Sequence, residues 1–504
     1  MSEPREPWTR ADWGLFALLV LGALVSLAWT VHPWFEAGPE TTDAALYILC
    51  ARSLAAGDGY QMLGEAFLVR PPGWSALLAP LVARDAAGFH ALNLLTSLFG
   101  VATVALLFVY VRASLGRWIA FALALAVWLD ADFQTLCNRT LSDVPGFAAL
   151  LGCLLLERLA SRAHSWRREL ALGVAIGLAT YLRSIAILLV PAIVVARCFD
   201  ARRRKEGLRH VLITCLPFAL AALAVKLPWD VRNALLAPST AIDQNLVHSY
   251  STGMWHVDPG DPNSAFKSFA ELLAPLGARL EAIGALVGSG MGLNRSFAWA
   301  VVGWLALGCV AWSAWTRRRA GDFFVLGSTA LLAVYFGFGE RLILPTYVLA
   351  LPAVAELVAG LARSVHRGVA RELVLVPAFV VLAIVGCEPR RGWNEIERMH
   401  IGAATLAANL AREVPVDAKL AAVRGWHMSV FMQRPVYSLH FAVRRAGLHG
   451  TDIGEALRDL LRRRDIDFVA LLPTAPDDRN LLEFFNANYG RPREVGGALV
   501  FAVR

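Results

Sequence analysis

The chain has 504 residues, 57% of them hydrophobic and only 17% charged, with a formal net charge of +8. Its mean hydropathy is +0.51 and its apolar residues come in long blocks, which sets aside a soluble fold and indicates an all-α polytopic membrane protein. The basic residues are confined to short stretches between those blocks, so they read as topology determinants and exclude a nucleic-acid surface.

The first apolar run, "WGLFALLVLGALVSLAWTV", follows Arg5 and Arg10. No A-x-A cleavage pattern follows it, so it is expected to remain as a span over 13–31. Residues 32–86 then form a sizeable outer segment where a short loop would be usual. It carries an acid-headed, half-apolar helix, "TTDAALYILCARSLAAGDGY" from Thr41 to Tyr60, and the stretch "VRPPGW" from Val69 to Trp74. Pro71 and Pro72 hold that stretch extended and fix Arg70, while Trp74 suits an anchor at the membrane interface.

Taking about 20 residues as the length that crosses the hydrocarbon core, further spans fall near 87–111, 211–227, 295–315 and 373–387. Residues 170–196 contain Arg183 at mid-length, and basic clusters flank both ends. A single span would put one cluster outside, so the positive-inside rule favours a hairpin with Arg183 at its tip. Each arm, at about 13 residues and near 20 Å, is too short to cross fully, which places the tip in a protein-lined aqueous bowl. The same test gives hairpins over 323–361, with "GERL" at the tip, and over 118–157, with "DADFQTLCNRTLSD" as its outer connection. The sum is about eleven spans, with the N-terminus inside and the C-terminus outside. A second outer segment covers 228–294.

Residues 1–387 thus form a transmembrane domain and 388–504 a small extracytoplasmic α/β domain. In the latter "KLAAVR", "PVYSLHF", "DFVALLP" and "GALVFAVR" read as strands, alternating with helical "AATLAANLARE" and "IGEALRDLLRRR". Seven cysteines form no CxxC pair, which predicts neither a disulfide framework nor a zinc site. "GSGMG" at Gly288 to Gly292 follows no clear strand and is a poor nucleotide fingerprint; His248 and His256 lack ligand spacing.

On this topology Asp43, Arg70, Asp130, Asp132, Asp143, Arg183, Arg232 and Arg341 face one compartment. Carboxylates and guanidinium groups beside a bilayer suit chemistry on a phosphate whose tail lies in lipid, because guanidinium pairs bidentately with phosphate oxygens. Each group also has a plainer role. Asp43 and Asp143 stand where helix N-caps stand, and Arg183 and Arg341 suit structural ion pairs, such as Arg341 with Asp43 or Asp143. Asp130 and Asp132 form a D-x-D that suits a divalent cation, the one cofactor candidate.

The pieces "TTDAALYILCARSLAAGDGY", "VRPPGWSALLAPL", "TLSDVPGFAALLG", "GLATYLRSIAILLVPA", "LPWDVRN" and "ERLILPTYVLALP" together resemble the GT-C superfamily of membrane glycosyltransferases. Within it the likeness is to the bacterial branch related to protein mannosyltransferases and the lipid A aminoarabinose transferase. The resemblance covers roughly residues 10 to 360, in family order. It implies that the first outer loop carries surface helices whose acid belongs to the active site, with Asp43 the leading catalytic residue. Asp143, or the Asp130/Asp132 pair, would be the second acidic position. Arg183 and Arg341 would contact the lipid phosphate, with Arg70 and Arg232 as further phosphate-binding candidates. The donor implied is a polyprenyl-phosphate sugar, the acceptor a hydroxyl on a lipid, glycan or protein, and the location a bacterial inner membrane with the site facing the periplasm. Where the family often has two adjacent acids this chain has "TTDAA", which speaks against a metal in the first loop. The alternative is a transporter or flippase of a lipid-linked or anionic solute, using the same Arg/Asp set, but no inverted repeat supports it.

Overall fold

Thr9 caps the first apolar helix: its hydroxyl accepts from the Asp12 amide, and the Asp12 carboxylate accepts from the Thr9 amide at 2.7 Å. The helix, α1 (Arg10–Thr30), opens a computed structural model that describes residues 7–38, 42–82, 88–162, 165–236, 254–257, 264–290, 296–335, 340–365, 375–379, 393–439, 452–473 and 476–504. Two compact units divide the chain. Met1–His32, Asn93–Arg232 and Phe269–Arg391 form the first; Pro33–Leu92, Asn233–Ser268 and Gly392–Arg504 form the second.

The first unit is helical. It contains α1, most of α4 (His90–Leu115), α5 (Arg117–Leu129), α6 (Ala131–Cys137), α7 (Asp143–Ala160), α8 (Trp166–Leu182), α9 (Leu189–Arg204) and most of α10 (Leu208–Leu236). Helices Phe269–Leu273, Leu276–Gly288, Phe297–Arg317, Ala320–Val334 and Leu344–Val365 also belong to it. Among the described residues six helices are long and apolar enough to cross a membrane, or seven if α5 and α6, bent by 66° at their junction, make one broken span. The protein is therefore a multi-pass membrane protein. The expected span over 373–387 lies largely outside the described residues.

Small residues bring the helices together. Gly173 and Gly177 of α8 face Phe218, Ala222 and Val225 of α10 so closely that a Cβ at either glycine would collide. Charged side chains pair between helices: Arg112 with Asp12 at 2.8 Å, Arg197 with Glu169 at 2.9 Å, and Arg319 with Glu356 at 2.5 Å. The break anticipated at Arg183 is present. Arg183 closes α8 in extended conformation (φ −152°, ψ 119°), a 3-10 turn over Ser184–Leu188 follows, and α9 resumes at Leu189. The arms are longer than sequence suggests, at 17 residues for α8 and 16 for α9, because both run on into their basic flanks.

The second unit joins the loop segment Pro33–Leu92 to the C-terminal domain. Its loop portion has α2 (Thr42–Ala56), a short antiparallel pair of β1 (Gln61–Met62) with β2 (Glu65–Ala66), and α3 (Gly73–Val82). Trp74, expected to anchor at the membrane interface, is instead completely buried. It starts α3, which packs on α2, and so its indole fills the core of the unit.

The domain's sheet has the order β4-β3-β5-β7-β6. β3 (Leu420–Ala422) pairs in parallel with β4 (Val436–Ser438) and with β5 (Phe468–Leu471), while β7 (Ala498–Ala502) runs antiparallel to β5 and to β6 (Arg493–Val495). Alternation sorts the side chains. Ala421, Val469, Leu471 and Phe501 meet helices Ile453–Arg464 and Pro476–Tyr489 on one face. Leu420, Ala422, Ala470 and Val500 meet helices Trp393–Glu413 and Gly425–Met432 on the other. The four expected strands are present; β6, three residues with two exposed, carries too little alternation to be read from sequence.

Candidate active site

Asp143 is the first residue of α7, with Ser142 at the cap position making no side-chain cap bond. Its carboxylate is 2% exposed and turns to arginines instead: Oδ1 is 2.8 Å from Arg183 Nη2, and Oδ2 is 3.6 Å from Arg341 Nη1. The plainer role foreseen for Arg341, an ion pair with Asp143, is thus real. The helix N-terminus favours the carboxylate there, and two guanidinium groups converge on it from the α8 break and from the 3-10 turn Glu340–Ile343. Arg183 Nη1 also donates to Ser142 Oγ at 3.4 Å. Gly146, one turn into α7, makes room for this: a Cβ there would stand 2.7 Å from Arg183 Cβ.

The turn carrying Asp143 is held by a buried polar network that sequence reading passed over. The His32 amide donates to Asn138 Oδ1 (3.2 Å), Asn93 Nδ2 to the His32 carbonyl (2.9 Å), and Thr140 Oγ1 to Asn93 Oδ1 (3.1 Å). Asn93 inside an otherwise apolar helix start was the available signal, because an amide in a span needs partners.

Asp130 and Asp132 flank the bend between α5 and α6. Asp130 is the N-cap of α6, accepting from the Phe133 amide at 2.9 Å. Among the described residues no group of three or more His, Cys, Asp or Glu side chains gathers, so Asp130 and Asp132 stand as a pair, with helix capping the role that the structure shows for Asp130. Arg232 stacks on its helix neighbour Trp229, 5.2 Å from the ring centroid, and Asp230 pairs with Lys226.

In the second unit Asp43 sits in the first turn of α2, 8% exposed, with Oδ1 3.2 Å from Arg70 Nη2. Tyr60 fixes the arginine's backbone: its hydroxyl donates to the Arg70 carbonyl at 3.0 Å. Burial pushes the Tyr60 phenol well above its usual range, so it stays a donor. The structure therefore sorts the sequence candidates into two constellations, Asp43 with Arg70 and Asp143 with Arg183 and Arg341.

Residues 70–229 match the family described as dolichyl-phosphate-mannose-protein mannosyltransferase. In three dimensions the chain is similar to ArnT from Cupriavidus metallidurans in the apo state, with a TM-score of 0.59, 14% identity and 98% of each chain covered. The chain has the GT-C fold. Against the same ArnT bound to undecaprenyl phosphate the TM-score is 0.58 at 13% identity, again covering 98% of each chain. The Archaeoglobus fulgidus oligosaccharyltransferase gives a TM-score of 0.42 at 12% identity, over 92% of this chain and 70% of that one. No curated protein matches the sequence. Within this GT-C fold the family match spans the RPP turn, the Asp143 helix and the Arg183 break.

Proposed function

We propose that this protein is a glycosyltransferase that moves a sugar from a polyprenyl-phosphate donor to a hydroxyl-bearing lipid, glycan or protein acceptor on the extracytoplasmic face, with inversion. The observation that carries this reading is the convergence of Arg183 and Arg341 on Asp143 at a helix break in a GT-C fold. Guanidinium groups present the planar donor fork that matches phosphate oxygens. The ArnT structure with undecaprenyl phosphate supports the lipid class.

Asp43 takes the proton from the acceptor hydroxyl, and that oxygen attacks the anomeric carbon from the side opposite the phosphate. The anomeric C–O bond breaks with its electron pair on the leaving oxygen, giving polyprenyl phosphate. Arg183 and Arg341 stabilise that charge, Asp143 orients their guanidinium groups, and Arg70 orients Asp43.

Mass spectrometry of membranes with and without the protein tests the reading: its loss is expected to accumulate a lipid-linked sugar. With that sugar supplied on undecaprenyl phosphate, Arg341→Met is expected to slow transfer on the order of a hundredfold, as for losing one transition-state charge contact. Full transfer by Asp43→Asn would remove the base assignment.

A further inference from the structure

In open α/β sheets the carboxyl ends of the strands, where successive crossovers leave to opposite faces, form the crevice that takes a ligand. The C-terminal domain has such a point. The helix after β3 packs on one face and the helix before β5 on the other, so the crevice lies at the ends of β3 and β5. Arg424 and helix Gly425–Met432 begin there. What the first turn of that helix holds is this chain's own segment leading toward α2. Arg424 Nη1 donates to the Ala37 carbonyl at 3.1 Å, and the buried His427 ring hydrogen-bonds the Gly38 backbone.

Further contacts repeat the attachment along the loop. Arg52 of α2 donates through Nη1 to the Val430 carbonyl at 2.7 Å, near the end of the same helix, where backbone acceptors lack helical partners. The Phe35 amide donates to His400 Nδ1 at 3.1 Å. Around it Phe35 and Phe89 stack at 5.1 Å, and both rings meet Phe431, at 5.9 and 5.8 Å. Arg464, at the end of helix Ile453–Arg464, pairs with Glu65 of β2. The loop is thus gripped from its start, along α2, and at its hairpin.

We propose that the C-terminal domain is the positioning element for Asp43, its strand-end crevice occupied by residues 37–38 so that helix Gly425–Met432 holds α2 through Arg52 and also holds the segment that precedes α2. Arg424 and Arg52 are the positioning residues. The sheet's ligand-binding edge serves an internal segment, which makes the tail part of the reaction machinery by holding its base in place. That consequence rests on the glycosyltransferase reading, while the mechanical coupling stands without it.

Hydrogen exchange of the full-length protein in nanodiscs tests the coupling without a substrate. In the double variant Arg424→Gln/Arg52→Gln, amides of Thr42–Ala56 are expected to exchange at least about tenfold faster, the effect of losing hydrogen bonds from charged donors. Strands Leu420–Ala422 and Phe468–Leu471 and helix Asp143–Ala160 should keep their protection. Arg424→Lys/Arg52→Lys, which keeps a charged donor at each place, should restore it. In transfer assays the Gln variant is expected to lower kcat at least about tenfold with the donor KM unchanged, because only the base has lost its setting. Unchanged exchange in α2, or loss of protection in the sheet together with α2, overturns the proposal; so does a rise in donor KM at constant kcat. A parent protein without transferase activity sinks the functional reading alone and leaves the exchange result to decide the coupling.

Discussion

Gly146 and Arg183 fit together as a socket and its occupant: the Cβ that residue 146 lacks would lie 2.7 Å from Arg183 Cβ and 3.1 Å from its Cδ. The arginine reaches Asp143 only because the first turn of α7 is bare there. Gly146→Ala is therefore expected to push Arg183 off Asp143 at a cost of about 1–3 kcal/mol in stability, the usual penalty of overpacking. Donor turnover should fall at least about tenfold. Thermal unfolding and donor titration check both parts; an alanine variant with parental turnover would show that Arg183 works from another place.

Asp143→Asn leaves Arg183 and Arg341 facing a neutral amide in a buried setting. Removing one member of a buried charge cluster typically costs about 3–5 kcal/mol. An added lipid phosphate should recover part of that loss, so undecaprenyl phosphate is expected to raise the melting temperature of the variant more than that of the parent. Equal shifts for the two proteins would mean that these arginines do not meet the phosphate.

Trp74→Ala should behave as a core deletion. The indole is fully buried, so the expected loss is about 3–5 kcal/mol, read as a lower unfolding midpoint in detergent. An interfacial anchor would instead leave the detergent midpoint nearly unchanged.

His427 gives the second unit an acid-sensitive component. Burial, and after it the nearby Arg424 charge, lower its pKa from 6.5 to about 4, so the folded form holds it neutral. Between those values the unfolded chain binds the extra proton. The stabilisation is complete above pH 6.5 and declines as the pH falls toward 4. Burial lowers the pKa of His400 as well, in the same direction. The midpoint of thermal unfolding should drop across this window, and His427→Gln should flatten the slope; a slope unaltered by the substitution would assign the effect to other groups.

Asp130→Asn separates capping from metal binding. Asn caps a helix about as well as Asp, so the variant is expected to retain stability and transfer, and chelation by EDTA is expected to leave the rate unchanged. A rate lost to EDTA and restored by a divalent cation would return Asp130 and Asp132 to the site.

Much of the helical frame was legible because it is written in local pattern. Apolar blocks mark α1, α4 and α10, and an arginine in the middle of residues 170–196 marks the α8 break, since a guanidinium in lipid is costly. Short apolar runs with β-branched and aromatic residues in "DFVALLP" and "GALVFAVR" marked β5 and β7, likewise from local pattern. The partners of the candidate acids were not legible. Asp43 and Asp143 both head helices after a Ser or Thr and look alike in sequence, yet one meets Arg70 and the other Arg183 and Arg341.

Sequence alone determined that this is a membrane protein with a small α/β tail, which elements it contains, and which polar residues interrupt its apolar stretches. Hydropathy and periodicity act over a few residues and leave their trace in every segment. Only the tertiary structure decided that the loop segment Pro33–Leu92 shares a unit with the tail, that Trp74 is core, and which arginine serves which carboxylate. Those outcomes depend on how closely distant helices approach, and that is set by features such as a missing Cβ at Gly146 or the carbonyl of Val430 reaching Arg52, whose meaning exists only once the partner is beside them.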